Sequence, residues 1–269
     1  MTTSASARSG LLVHTPLRPF GRVVEGTAGS RIQDIPVASL AAWTLESRVV
    51  VLRGFSLMAT QEFADYCREW GEVLRWPPGE VIDLVVQDDP QNYLFASGDV
   101  PFHWDGAFVE ANPRWFFFQC LDATPGAGGE TVFSDTSAVY RDADPETRDR
   151  WSQLSITYTT EKLTHYGGQV TERLVSQHPT NGLPVLRFAE PLDPAVYKNP
   201  VAVDVVGMER AEADPFLTEL AERVHRREYC YDHEWCAGDI LVADNFSLIH
   251  GRNAFSGPTD RHLQRVEVV

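Results

Sequence analysis

Basic residues are scarce in this chain: 23 Lys and Arg stand against 38 Asp and Glu in 269 residues, a formal net charge of −15. A protein that holds a polyanion must neutralise its phosphates with clustered Lys and Arg, and no such cluster occurs here, so nucleic acid and anionic membrane surfaces are poor partners. Cysteine is nearly absent too. Cys67, Cys120, Cys230 and Cys236 form no CxxC pair, which argues against a disulfide framework and for reduced thiols. Cys230 and Cys236 lie close together, but without a second such pair a zinc site there is disfavoured. No apolar run approaches the ~20 residues that span a bilayer, and MTTSASARSGLLVH has no long apolar stretch of a leader peptide. The expectation is a cytoplasmic protein whose first ten residues form a flexible tail. Repeats and low-complexity tracts are missing as well. What is present is 43% hydrophobic residues, enough to bury one sizeable core over 1–269. An anionic ligand would need a local basic pocket inside an acidic shell.

The apolar spacing of residues 36–46, PVASLAAWTLE, predicts a helix, and SRVVVLRGF predicts a buried strand. TQEFADYCREWGEV predicts a second helix, with Thr60 as its cap, Phe63, Tyr66 and Trp70 on one face, and Gly71 at its end. Short β-like runs then dominate: VIDLVVQ, RWFFFQCLDA, ETVFSD, LSITYTT, PVLRF, EYCYDHEW, GDILVADN and HLQRVEVV. Helices are expected in DPETRDRWSQL, where Pro145 suits a first turn, and in DPFLTELAERVHR. The sum is an α+β domain with a β-sandwich or jelly-roll core and flanking helices.

The sharpest local feature is FHWDG. His103 and Asp105 are two apart, so in extended backbone both side chains face the same way and can offer two ligands to one metal ion. An isolated His-x-Asp is more often a hydrogen-bonded pair at a strand end. Far downstream, His250 follows the strand-like GDILVADN. One His-x-Asp and a distant His on a β scaffold compose the 2-His-1-carboxylate set that leaves positions open on Fe(II) for a bidentate co-substrate and O₂.

HWDG, GGETVFSD, HPTNG, GDILVADNFSLIHGR and a terminal R-x-x-x-R, in that order, make residues 45–269 resemble the taurine dioxygenase-like (TauD/TfdA) family of Fe(II)- and 2-oxoglutarate-dependent oxygenases. The resemblance implies a double-stranded β-helix (jelly-roll) core with flanking helices, Fe(II), 2-oxoglutarate and O₂ as cofactors, and oxidation of an unactivated C–H bond. It implies His103, Asp105 and His250 as iron ligands. Thr131 and Arg261 match the positions that hold the distal carboxylate of 2-oxoglutarate, a task suited to a guanidinium fork and a hydroxyl. Arg265 binds either the co-substrate or an anionic group of the substrate. Halogenating relatives replace the carboxylate with a small residue, so Asp105 argues for hydroxylation, desaturation or ring closure.

LTHYGGQVTERLVSQHP and PVLRFAEP look most like a subgroup that modifies amino-acid-derived metabolites in microbial biosynthesis, including enzymes that desaturate an isonitrile derivative of tyrosine. A small carboxylate or amino-acid derivative is the expected substrate, with Arg187, a cation in an apolar strand, and Phe108 as candidate contacts. Each has a plainer reading, as a strand-end arginine reaching solvent and as a core aromatic. His178 is explained by the Asn-Gly turn beside it. The other histidines carry no motif, and Asp142, Asp144 and Glu146 read as charges at a helix start. A non-catalytic metal- or ligand-binding β-barrel protein that keeps the scaffold is the alternative. A homo-oligomer is possible, though no interface is legible.

Overall fold

The computed structural model describes residues 12–269 except 78, 110, 164 and 165. A seven-stranded sheet runs in the order Val13–Pro16, Arg22–Glu25, Val49–Arg53, Ile240–Asp244, Trp115–Asp122, His262–Val268 and Ile82–Leu84. A four-stranded sheet faces it, in the order Cys230–His233, Thr131–Asp135, Leu248–Arg252 and Val100–His103. The jelly-roll core expected from the sequence is this pair of sheets. Among the described residues, no helix is long and apolar enough to cross a membrane.

The run Trp115–Phe118 shows how sequence sets the layers. Alternate residues of a strand point to opposite faces. Trp115 and Phe117 therefore pack with Phe63 and Tyr66 of the helix Thr60–Arg68 on the outer face of the large sheet. Phe116 and Phe118 enter the space between the sheets beside Phe133, Leu248 and Trp235. The strand Ile240–Asp244 is buried along its whole length because both of its faces are covered. A third core lies behind the small sheet, where Phe102, Trp104, Tyr158 and Phe188 meet Phe216, Leu217 and Leu220 of the helix Arg210–Val224. The strand Val100–His103 thus sends Phe102 into this rear core and His103 the other way.

Several boundaries differ from the expectation. Thr60 is the first helical residue rather than the cap, which is Ala59 in extended backbone. The helix expected to start at Asp214 starts at Arg210 and contains Pro215. Pro215 lacks a donor for the carbonyl of Ala211, but that residue is exposed, so its carbonyl is within reach of solvent. Val13–Pro16 pairs with Arg22–Glu25, while residues 1–11, which include the expected tail, lie outside those described. His165 also lies outside them.

Candidate active site

Strand pairing builds the site. His250 on Leu248–Arg252 is the direct cross-strand partner of His103 on Val100–His103, and their rings stand 4.5 Å apart. Asp105 follows two residues later, and His103 Nε2 lies 3.7 Å from one of its oxygens while His250 Nε2 lies 3.6 Å from the other. Those separations are too long for hydrogen bonds and short enough for one ion to bridge. One donor atom from each residue lies within 4.8 Å of the others. This is the one His/Cys/Asp/Glu group of that kind among the described residues.

The environment prepares each ligand. His103 Nδ1 is 2.9 Å from the Pro101 carbonyl, which accepts its proton and leaves Nε2 as the lone-pair nitrogen. His250 is fully buried, and burial lowers its pKa to about 3, so it stays neutral despite Asp105. Burial would raise the pKa of Asp105, but the adjacent Arg265 guanidinium, the largest opposing influence, holds the carboxyl well below the usual range. A deprotonated Asp105 and a neutral His250 are in the protonation states in which these groups bind a metal ion.

The backbone of Asp105 is pinned from the next sheet. Asn245 Oδ1 accepts from the Asp105 amide at 3.1 Å, and its Nδ2 donates to the Asp105 carbonyl at 2.9 Å and the Pro113 carbonyl at 2.7 Å. Gly106 then turns the chain with φ +94°, where a Cβ would come within 2.3 Å of Pro113. His178, as expected, is structural: its Nε2 donates to the Asp244 carboxylate at 3.0 Å, and Asp244 also accepts from Ser247 Oγ at 2.6 Å. That cluster locks the strand end from which Asn245 reaches Asp105.

Thr131, Arg252, Arg261 and Arg265 line the same cavity as the two histidines, walled by Leu84, Leu94, Val100, Phe118 and Leu263. Arg261 is 6% exposed; its Nη1 donates to the Gly129 carbonyl at 3.1 Å and its guanidinium stacks 5.0 Å from the Phe255 ring. Its Nε has no partner among the described residues. Thr131 Oγ1 accepts from Trp235 Nε1 at 3.0 Å, which leaves the hydroxyl proton to donate. A buried cation with a spare donor and a hydroxyl beside it fit a carboxylate.

Arg265 Nη1 donates to both Asp105 oxygens at 3.1 and 3.3 Å, and its Nη2 lies 3.1 Å from Glu267. Glu267 in turn accepts from Trp76 Nε1 at 2.7 Å. Arg187 and Phe108 do not line this cavity. Arg187 is buried, its Nη1 on the Asn245 carbonyl and its guanidinium 4.4 Å from the Phe246 ring, while Phe108 packs against the rear core. Asn245, Trp235 and Glu267 went unread in the sequence, where Arg252, next to His-Gly, is an ambiguous cation. Glu267 left one signal, since Leu263, Arg265 and Glu267 share a strand face and an acid there needs a buried partner.

The model of the "Taurine catabolism dioxygenase TauD, TfdA family" matches residues 14–266. The chain belongs to the TauD/TfdA family. A 3-((Z)-2-isocyanoethenyl)-1H-indole synthase of Fischerella ambigua is 48% identical over 94% of both chains. A tyrosine isonitrile desaturase of Erwinia amylovora is 35% identical over 90% of this chain and 84% of its own. The crystal structure of the PvcB protein from Pseudomonas aeruginosa superposes with a TM-score of 0.80 at 31% identity, covering 100% of this chain and 95% of that one. As a TauD/TfdA member with an intact triad, the chain is an Fe(II)- and 2-oxoglutarate-dependent oxygenase.

Glu267 gives this TauD/TfdA protein a testable pH signature. Burial, with Asp105 nearby, pushes its pKa from 4.5 up to about 8, against the opposing pull of Arg265. The folded protein then holds a proton that the unfolded chain has released, so stability present below pH 4.5 is lost as pH rises through about 8. This contribution to the stability of the metal-free protein is expected to fall as pH rises from 7 to 8, as followed by denaturant melts. Glu267→Gln should flatten that slope; an unaltered slope would count against the burial argument.

Proposed function

We propose that this oxygenase forms a C=C bond in an isonitrile-bearing acid derived from an aromatic amino acid, with the indole derivative preferred over the phenol. The observation that carries the reading is a complete triad in a chain 48% identical, over 94% of its length, to a protein named for an isocyanoethenyl indole product. Tyrosine isonitrile desaturases at 35% and 34% identity support the wider substrate class. The walls from Leu84, Leu94, Val100, Phe118 and Leu263 suit a flat aromatic ring.

His103, Asp105 and His250 would hold Fe(II), which supplies, when bound, the activation of O₂ coupled to oxidative loss of CO₂ from 2-oxoglutarate. Arg261 and Thr131 hold the distal carboxylate of 2-oxoglutarate. Arg265 keeps Asp105 ionised and oriented, and Asn245 fixes the backbone from which it projects. The apolar wall excludes water from the reacting carbon. Electrons balance for desaturation: 2-oxoglutarate gives two and the substrate gives two with its two hydrogens, reducing O₂ and leaving succinate, CO₂, water and the alkene.

The test supplies the isocyano acids of tryptophan and tyrosine with Fe(II), 2-oxoglutarate and O₂, and follows succinate and product mass together. The expected result is loss of two hydrogens from the substrate, with or without its carboxyl group, and a higher kcat/KM for the indole acid. Neither acid raising succinate release above the substrate-free background would refute the assignment.

A further inference from the structure

We propose that Arg252 is a positioning residue whose guanidinium holds the segment 92–98 in place as a wall of the active-site cavity, and so controls substrate affinity and the coupling of co-substrate breakdown to substrate oxidation. The coupling part rests on the function proposed above; the holding part does not.

Leu94 of this segment lines the cavity that contains His103 and His250. It sits in a single 3-10 turn, Tyr93–Phe95, in which no residue is buried. Tyr93 is half-buried against the rear core and meets the Tyr197 ring at 6.0 Å, and the Gln87 amide donates to the Phe95 carbonyl at 2.9 Å, but 96–98 has no apolar anchor of its own, opens locally at little cost and needs a further hold. Arg252 supplies it. Only 8% exposed, it donates from Nη1 to the Leu94 carbonyl at 2.8 Å and from Nη2 to the carbonyls of Ala96 at 2.6 Å and Gly98 at 2.5 Å. Three alternate carbonyls thus converge on one planar fork, an arrangement that a lysine ammonium cannot span in the same way.

Burial lowers the Arg252 pKa to about 10, and Asp99 opposes that shift through space. The charge is answered chiefly by backbone dipoles of the segment itself. Phe255 ties this arrangement to the co-substrate arm. Its amide donates to the Ser97 carbonyl at 3.0 Å, and its ring lies 5.0 Å from the guanidinium carbons of both Arg252 and Arg261. The Phe255 ring also covers Gly129, where a Cβ would come within 2.1 Å of it, and the Gly129 carbonyl receives Arg261. The wall and the carboxylate anchor therefore share one aromatic support, but only the wall depends on the Arg252 donors.

Hydrogen exchange on the full chain without iron or substrate tests the holding role in Arg252→Gln and Arg252→Lys. Exchange across 92–98 should quicken about tenfold or more, with the strand Leu248–Arg252 keeping its protection. With the aromatic isocyano acid as substrate, its KM should rise about tenfold while that of 2-oxoglutarate moves less than about twofold. Succinate formed per oxidised product should climb above the wild-type ratio. Unaltered exchange in 92–98, or equal shifts in both KM values, would overturn the proposal. If both variants unfold, Leu94→Ala decides: it should keep wild-type exchange and show the same KM split, and no split would overturn the proposal. If no isocyano acid is turned over, the substrate assignment fails and the exchange data still decide the holding role.

Discussion

His250→Ala is expected to abolish Fe(II)-dependent formation of succinate from 2-oxoglutarate while the far-UV circular dichroism stays that of the parent. The ring of His250 sits 4.8 Å from Phe116 and 6.3 Å from Phe133, so its loss also leaves a void between the sheets. Voids of that kind typically cost about 1–3 kcal/mol, which lowers Tm without unfolding a domain of this size. Activity must fall much further than stability for the effect to be chemical. His103→Ala is the control for the void. His103 is only half-buried and packs less tightly, yet it offers the second imidazole to the same ion, so its activity loss should be as complete and its Tm shift smaller. Succinate formation at the parent rate in both variants would end the claim that these side chains carry the iron.

The second large effect is at Arg261. Arg261→Ala should raise the 2-oxoglutarate requirement by about 30-fold to several-thousand-fold, because leaving a buried carboxylate without its charged partner costs about 2–5 kcal/mol. The geometry favours a ligand-directed role. Arg261 spends one nitrogen on the Gly129 carbonyl, keeps a buried Nε free of partners among the described residues, and sits beside the Thr131 hydroxyl in the same cavity. Burial first, and repulsion from Arg252 second, lower its pKa to about 9. The charged form that an anion needs is present at neutral pH, and a bound carboxylate would favour it further. Arg261→Lys should restore part of the affinity, since a point charge replaces the fork. A 2-oxoglutarate KM unmoved by Arg261→Ala would transfer the co-substrate to Arg265.

The sequence made the chemistry legible where residue type and spacing act together. His103 and Asp105 share a face by strand parity, and the register that sets His250 opposite His103 completes the group. The four aromatic residues of Trp115–Phe118 announced a strand covered on both sides, and the structure sends them alternately to the two cores. Less legible were side chains whose role depends on partners distant in the chain. Asn245 looks like the end of a strand until its amide is seen across Asp105, 140 residues away. Arg252 read as an ambiguous cation because nothing in sequence links it to carbonyls 154 to 158 residues earlier. Arg187 misled for the converse reason. A cation in an apolar strand suggested a ligand, but aromatic faces and a backbone carbonyl absorb it within the protein. Among the described residues the buried arginines thus divide into Arg187 and Arg252, whose donors are spent on protein carbonyls, Arg265, which holds the carboxylate of Asp105, and Arg261, which keeps a donor for a ligand.

The most direct measurement is an anaerobic titration of the metal-free protein with Fe(II), read by metal analysis after dialysis, with 2-oxoglutarate binding followed before and after. The parent should retain one Fe(II) per chain and bind 2-oxoglutarate tightly only once iron is present, whereas the double variant His103→Ala, His250→Ala should retain none. Equal iron retention by parent and double variant, or iron-independent binding of 2-oxoglutarate to the parent, would contradict a metal centre built from His103, Asp105 and His250.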